Sequence, residues 1–400
     1  MLTGTDTLLL EIFVIFVCAK MFAEIFERLS LPAVLGEILA GVILGPYAAA
    51  LVTPTDTVAS LAHIGAIFLL FTVGLETRPM ELIRVGRESI RVAVAGVALP
   101  FLLGFLYMKL RHESTHESIF VAAAMVATSV GITARVLSDL HVLGTRTARI
   151  ILGAAVFDDI LGMIILAIVA GLVTSGGIRW WNLGLLTVEA VGFTLFVIFY
   201  GSRLVRHLRP GVARMSTREA PLILALAGCL GLSVAVTRIG IAAIIGAFFA
   251  GLIFADYSSE WNLQPRVRAI SEFLAPLFFF TVGARLNLTM FNGKVVVAAL
   301  VVTLLAIVSK VLGCGLPVIR EGLNASLRVG VGMTPRGEVA LIVALIGLQM
   351  KMISQTAYAI VICMAAATTF VAPPLLRVLY RGAGPAPGEV DLETDHPQRS

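Results

Sequence analysis

The chain has 400 residues, 58% hydrophobic and 14% charged, with a mean hydropathy of +0.97 and a formal net charge of +5. A soluble domain carries about 25% charged residues, so too little polar surface exists here to cover a water-soluble globule of this length. Soluble enzymes and nucleic-acid-binding modules are excluded; the positive charge belongs to loops, where it reports orientation across a bilayer.

Apolar blocks of about 20 residues, the length that crosses ~30 Å of hydrocarbon, recur along the chain. Thirteen spans are predicted near 7–27, 33–50, 58–76, 91–110, 117–138, 149–174, 183–204, 220–237, 240–256, 268–284, 295–317, 327–349 and 355–377. The first follows Met1–Asp6 without a basic leader or a small-residue cleavage site, and reads as a retained span rather than a signal peptide. Turn signals separate the blocks: Leu31-Pro32, Thr53-Pro54, Gly176-Gly177, Arg209-Pro210 and Asn292-Gly293. Cys18, Cys229, Cys314 and Cys363 fall inside the blocks, lack metal-site spacing, and read as small buried hydrophobes. Residues 381–400 are polar with Gly and Pro and read as a short disordered tail. No cofactor and no enzymatic activity are expected.

Basic residues are distributed unevenly over the loops. Arg28, Arg78, Arg84, Arg87, Arg146, Arg149, Arg203, Arg206, Arg209, Arg214, Arg218, Arg266, Arg268 and Arg320 fall on one side; Lys109, Arg111, Arg179, Arg285, Lys294 and Lys351, with Arg238 at a span's end, fall on the other. The richer side is expected to be cytoplasmic. That places the N-terminus outside and the C-terminus inside a bacterial inner membrane.

The chain also repeats itself. Phe71-Thr72-Val73-Gly74 recurs as Phe280-Thr281-Val282-Gly283, 209 positions later. Gly36, Ala40, Gly41 and Ile43 recur as Gly246, Ala250, Gly251 and Ile253, 210 positions later. The polar interruption at Thr128 has a counterpart at Thr334, 206 positions later. Seven crossings separate equivalent spans, so the second copy is inverted in the membrane. Inverted repeats are a mark of secondary transporters, with the site near mid-membrane between the halves.

Two equivalent spans have broken centres. Ala127-Thr128-Ser129-Val130-Gly131-Ile132-Thr133 puts three hydroxyls and a glycine at membrane depth. Gly332-Met333-Thr334-Pro335-Arg336-Gly337-Glu338 is more severe, because Pro335 removes a backbone donor and Gly337 weakens the helix. Backbone freed in this way must be buried in protein or line a wet cavity. Between the breaks, Gly153–Gly162 carries Asp158 and Asp159 about ten residues into an apolar span. An ionisable group at the bilayer centre costs roughly 2.5–3.5 kcal/mol on insertion scales, so two together point to function. Adjacent residues lie ~100° apart on a helix, which lets one acid face a cavity while the other finds a different partner. Lys310, deep in the 295–317 span, is a counter-ion for one of them; the alternative is an interfacial lysine that anchors its helix. Arg336 can pair with Glu338, Glu37 or Glu76, and the sequence does not choose among them.

Sodium prefers hard oxygen ligands. Asp159 with the opened backbone near Thr128 and Ser129 offers a carboxylate, hydroxyls and carbonyls. Burial disfavours a carboxylate's charged form, so a proton and a metal cation become alternative ways to neutralise it. Competition for one site is sufficient to couple the two ions.

At these residues the chain resembles the bacterial cation:proton antiporter-2 family, most closely its NapA-type sodium/proton antiporters. The resemblance runs through Val34-Leu35-Gly36-Glu37, Phe71–Arg78, Val126–Leu137, Arg149–Gly162, Lys310-Val311-Leu312-Gly313 and Pro335–Val343. It implies an all-α polytopic membrane protein of about 13 transmembrane helices. Two inverted-topology repeats and a pair of discontinuous crossing helices would give it the NhaA-like antiporter fold. It implies an electrogenic sodium (or lithium)/proton antiporter with elevator-type alternating access, in which Asp159 binds Na+ transiently or H+. Asp158 would pair with Lys310 for proton coupling, Thr128 and Ser129 would lie beside the site, and Pro335, Arg336 and Glu338 would be structural at the second break. The partners implied are Na+, H+, the lipid bilayer and a second copy in a homodimer. The expected division is dimerisation helices at 1–90 and 220–290, a core at 91–174 and 291–380, a linker helix and cytoplasmic loop at 175–219, and the tail. One departure is Phe157, where the family carries a smaller aliphatic residue. The alternative reading is a K+/H+ antiporter or Kef-like potassium efflux transporter.

Overall fold

The computed structural model describes residues 4–29, 31–76, 86–143, 145–174, 219–238 and 242–381, with scattered positions between 188 and 217. The described chain is helical: α1 (Gly4–Arg28), α2 (Ala33–Leu44), α3 (Asp56–Glu76), α4 (Arg87–Leu110), α5 (Thr115–Val126), α6 (Val130–Asp139), α7 (Arg146–Thr174), α8 (Ala220–Arg238), α9 (Ala243–Phe254), α10 (Leu263–Ala284), α11 (Gly293–Gly315), α12 (Leu323–Gly332), α13 (Glu338–Gln349) and α14 (Gln355–Leu379). Among the described residues, eight helical segments are long and apolar enough to cross a bilayer. With α1 and the shorter apolar helices, they make a multi-pass membrane protein. The expected span at 183–204 and the 175–219 linker fall mostly outside the described residues, as does the tail from 382 onward.

Two expected spans are shorter than hydropathy suggests. The block at 33–50 is helical only over Ala33–Leu44, because the chain turns at Gly45-Pro46. Its repeat mate at 240–256 is α-helical only over Ala243–Phe254 and ends in a 3₁₀ turn, Ala255–Tyr257. The 117–138 and 327–349 blocks are each two helices, α5/α6 and α12/α13, with extended backbone between them. Local chemistry sets several starts. Ser114, Asn292 and Ser354 accept the backbone N–H three residues on, capping α5, α11 and α14. Ser354 also donates through its N–H (3.2 Å) and hydroxyl (2.6 Å) to Glu117 Oε1, tying the start of α14 to that of α5.

The helices pack as two groups: α1–α3 with α8–α10, and α4–α7 with α11–α14. Glycines fix the first group and expose the repeat. A Cβ at Gly41 would strike the Phe280 carbonyl; at Gly251, 210 positions on, it would strike that of Phe71. At Gly283 it would strike the carbonyl of Ile38, and at its mate Gly74 that of Phe248. So α2 crosses α10 as α9 crosses α3, backbone against backbone, and the two halves exchange equivalent contacts about a pseudo-twofold axis. The second group is pinned at the face bearing the basic loops. There Arg146 reaches Glu88 (3.0 Å) and Glu321 (2.8 Å), Thr147 shares a hydrogen bond with the Tyr380 hydroxyl (2.9 Å), and Arg328 lies over the Tyr380 ring.

Candidate functional site

The two breaks meet. Helix α5 stops at Val126 because Ala127 and Ser129 adopt extended backbone (ψ 133° and 102°). The freed groups of this segment are satisfied by the other break. Ser129 N–H donates to the Pro335 carbonyl at 2.8 Å, Thr128 Oγ1 to the Met333 carbonyl at 3.3 Å, and Thr133 Oγ1 to the Gly332 carbonyl at 2.6 Å. Pro335, which has no N–H to give, thus serves as an acceptor. Gly337 is required by space: a Cβ there would lie 2.5 Å from both Cβ and Oγ of Ser129. Gly337→Val is expected to wedge the crossing apart. Overpacking of this kind costs about 1–3 kcal/mol, and ion transport should fall by roughly tenfold for each 1.4 kcal/mol borne by the site. Thermal unfolding and a vesicle flux assay would check it; parent-like values in both would show that the crossing yields freely.

Charges are sorted around the crossing by helix polarity. Half-helices α5 and α12 present carbonyl ends there, and α6 and α13 present amide ends. Arg336, 1% exposed, donates from Nη1 to the carbonyls of Met333 (3.2 Å) and Thr334 (2.9 Å) at the end of α12, and from Nη2 to that of Ala306 (3.3 Å) on α11. Its own backbone is held by Thr368 and Thr369 of α14. Glu338 opens α13, and its Oε2 accepts from Ser129 Oγ at 3.3 Å. The open question of Arg336's partner is thereby resolved against all three acids. Glu338 turns to Ser129, Glu37 pairs with Lys20 (2.9 Å) and Glu76 with Arg268 (3.4 Å). Main-chain carbonyls, which sequence patterns do not display, take the guanidinium instead.

On α7, Asp158 Oδ1 accepts from Lys310 Nζ of α11 at 2.7 Å, with both side chains fully buried. That burial rules out an interfacial lysine. Gly96 of α4 packs beside the pair, where a Cβ would strike Cys314 Sγ of α11. The second oxygen of Asp158, Oδ2, is buried without a hydrogen-bond partner among the described residues. Asp159 is partly exposed and makes no hydrogen bond among the described residues. It lies within electrostatic reach of Asp158, Glu338, Lys310 and Glu76.

A cavity of about 360 Å³ runs to the crossing from the side of the basic loops. Ser129 and Glu338 form its inner wall, and Glu27, Arg135 and Arg377 stand nearer its mouth. The structure therefore gathers Thr128, Ser129, Pro335 and Glu338 at one point and Asp158 with Lys310 at another. Asp159 is not among the residues lining this cavity. Glu338 was legible in sequence only as part of the break; an acid in the first turn of a half-helix that follows a break is the signal that marks it as a wall residue.

A family model described as "Sodium/hydrogen exchanger, transmembrane" matches residues 12–382. The chain is 36% identical to the high-affinity Na(+)/H(+) antiporter NhaS3 of Synechocystis, over 94% of this chain and 90% of that one. It is 30% identical to the Na(+)/H(+)-K(+) antiporter GerN of Bacillus cereus, over 92% of this chain and 95% of the relative. In fold it is similar to the sodium proton antiporter MjNhaP1 of Methanocaldococcus jannaschii, with a TM-score of 0.72 at 19% identity, covering 93% of this chain and 96% of that one.

Proposed function

We propose that this chain, which belongs to the sodium/hydrogen exchanger family, exchanges sodium ions for protons across the membrane it spans. One observation carries the reading: Asp159, without a hydrogen-bond partner among the described residues, stands next to an acid that Lys310 already neutralises. Asp159 then holds the one charge of the pair that a mobile cation has to compensate. Sodium and a proton do so alternately, with Thr128, Ser129 and the carbonyls opened at the crossing completing a shell of hard oxygens. Loaded with either ion the site is close to neutral. Empty, it leaves a charge at membrane depth that opposes crossing. Breaking the Asp158–Lys310 pair lets each partner change its protonation, which adds a proton to the cycle and makes exchange electrogenic.

The group α4–α7 with α11–α14 is the core that carries the site, and α1–α3 with α8–α10 is the part that joins two copies in a homodimer. Dense packing inside each group and sparse contact between them support elevator-like motion of one against the other. The basic loops face the cytoplasm of the inner membrane, so the cavity opens inward. A second reading, exchange of potassium for protons, has support in GerN, whose name includes K(+). Purified protein in liposomes, titrated with Na+, Li+ and K+ under an imposed pH gradient, separates the two. Competition for one carboxylate requires the half-saturating sodium concentration to rise as pH falls, toward about tenfold per pH unit for each competing proton. A pH-independent value, or proton movement driven by K+ and not by Na+, would refute the proposal.

A further inference from the structure

Two polar contacts between described residues join the helix groups, one at each face. Toward the basic loops, Arg135 Nη1 on α6 donates to Glu27 Oε1 on α1 at 3.2 Å, and both partners are largely exposed. Such a pair contributes little. At the opposite face the Tyr358 hydroxyl on α14 donates to the Val282 carbonyl on α10 at 2.8 Å, with the tyrosine wholly buried. Each of these groups needs the other. Val282 lies in the last turn of α10, where carbonyls have no intrahelical donor. The neighbouring carbonyls of Thr281 and Gly283 take the N–H groups of Arg285 and Leu286, leaving that of Val282 to the phenol. A buried hydroxyl likewise requires a partner. Sliding one group past the other parts both at once, where water does not reach them.

We propose that Tyr358 is a one-sided latch. By capping the Val282 carbonyl it holds the face opposite the basic loops shut and biases the resting protein toward the form whose cavity opens on the basic side. The internal repeat makes the asymmetry visible. Val282 corresponds to Val73, 209 positions earlier, and α14 begins 209 positions after α7 (Gln355 against Arg146). The same offset carries Tyr358 onto Arg149, which is exposed, and its neighbours Ala148, Ile150 and Ile151 have no hydroxyl. The repeat therefore offers no second tyrosine to close the basic face in the same way. The latch acts on the orientation of the site without touching the ion. This inference rests on the alternating-access reading above.

Tyr358→Phe keeps the ring and removes the donor. In oriented proteoliposomes, the half-saturating Na+ concentration is measured separately at each face. For two exchanging orientations, the ratio of these values (basic face over opposite face) follows the ratio of the two populations, whichever form dominates. Loss of the latch should raise it about fivefold, the net worth of one hydrogen bond. A purely packing role would lower the melting temperature and leave the ratio where it was; an unchanged ratio in an active protein overturns the latch alone. Absence of saturable sodium exchange in the parent itself would overturn the transport reading and the latch with it.

Discussion

Asp159→Asn is expected to abolish sodium-dependent proton movement. The substitution keeps size and hydrogen-bonding capacity and removes only the charge, so the fold has no reason to change. The attraction between a carboxylate and a cation about 4 Å away is worth ~4 kcal/mol at an effective dielectric of 20, roughly a thousandfold in affinity. An amide is also no proton acceptor at any physiological pH. Both halves of the competition vanish together. In everted vesicles loaded with a pH-sensitive dye, a sodium pulse should give no response above that of vesicles without the protein. Asp158→Asn is the control, since its carboxylate is already occupied by Lys310 at 2.7 Å; it should retain exchange with less charge moved per cycle. Parent-like exchange by the Asp159 variant would remove the carboxylate from the mechanism.

The parts of the fold that could be read from sequence are those where a residue type breaks a rule of its surroundings. Pro335 and the hydroxyls at 128 and 129 fall where the helices are interrupted, whereas Thr133 lies inside α6, and Pro100 and Pro276 sit inside unbroken helices. Glycines repeated near a 210-residue offset were legible as a repeat, and Gly41, Gly74, Gly251 and Gly283 turn out to be among the points where backbones touch. Lys310 and Asp158 are opposite charges in hydrocarbon, and their pairing follows from cost alone. What stayed hidden depended on direction or on main chain. A hydropathy block does not show that the Gly45–Leu51 stretch turns instead of continuing α2; the signal lies in the Gly45-Pro46 pair inside it. Hydropathy cannot see that Arg336 is satisfied by carbonyls. Nor does it tell that residues 336 and 338 face opposite ways, one toward α11 and the other toward the cavity. Tyr358 reads as one more aromatic in an apolar span until its hydroxyl is seen to end on another helix.

Lys310→Ala is expected to destabilise the protein by about 3–5 kcal/mol, because it strands the fully buried Asp158 charge. Part of that loss comes from the missing butyl stem, so Lys310→Met, which fills most of the volume, isolates the electrostatic share. The sharper test is the cycle with Asp158→Asn. A buried pair gains little over neutral groups of the same shape, while half a pair is costly. The double variant Asp158→Asn with Lys310→Met should therefore be more stable than Lys310→Met alone. Thermal unfolding of the purified protein in one detergent measures all four members. Additive losses would mean that the two residues do not share their charge. Asp158 would then be compensated from elsewhere, and the reason for leaving Asp159 as the uncompensated member of the aspartate pair would be gone. Coupling of opposite sign to the single losses would tie the stability of the core to the same contact that the exchange cycle must open.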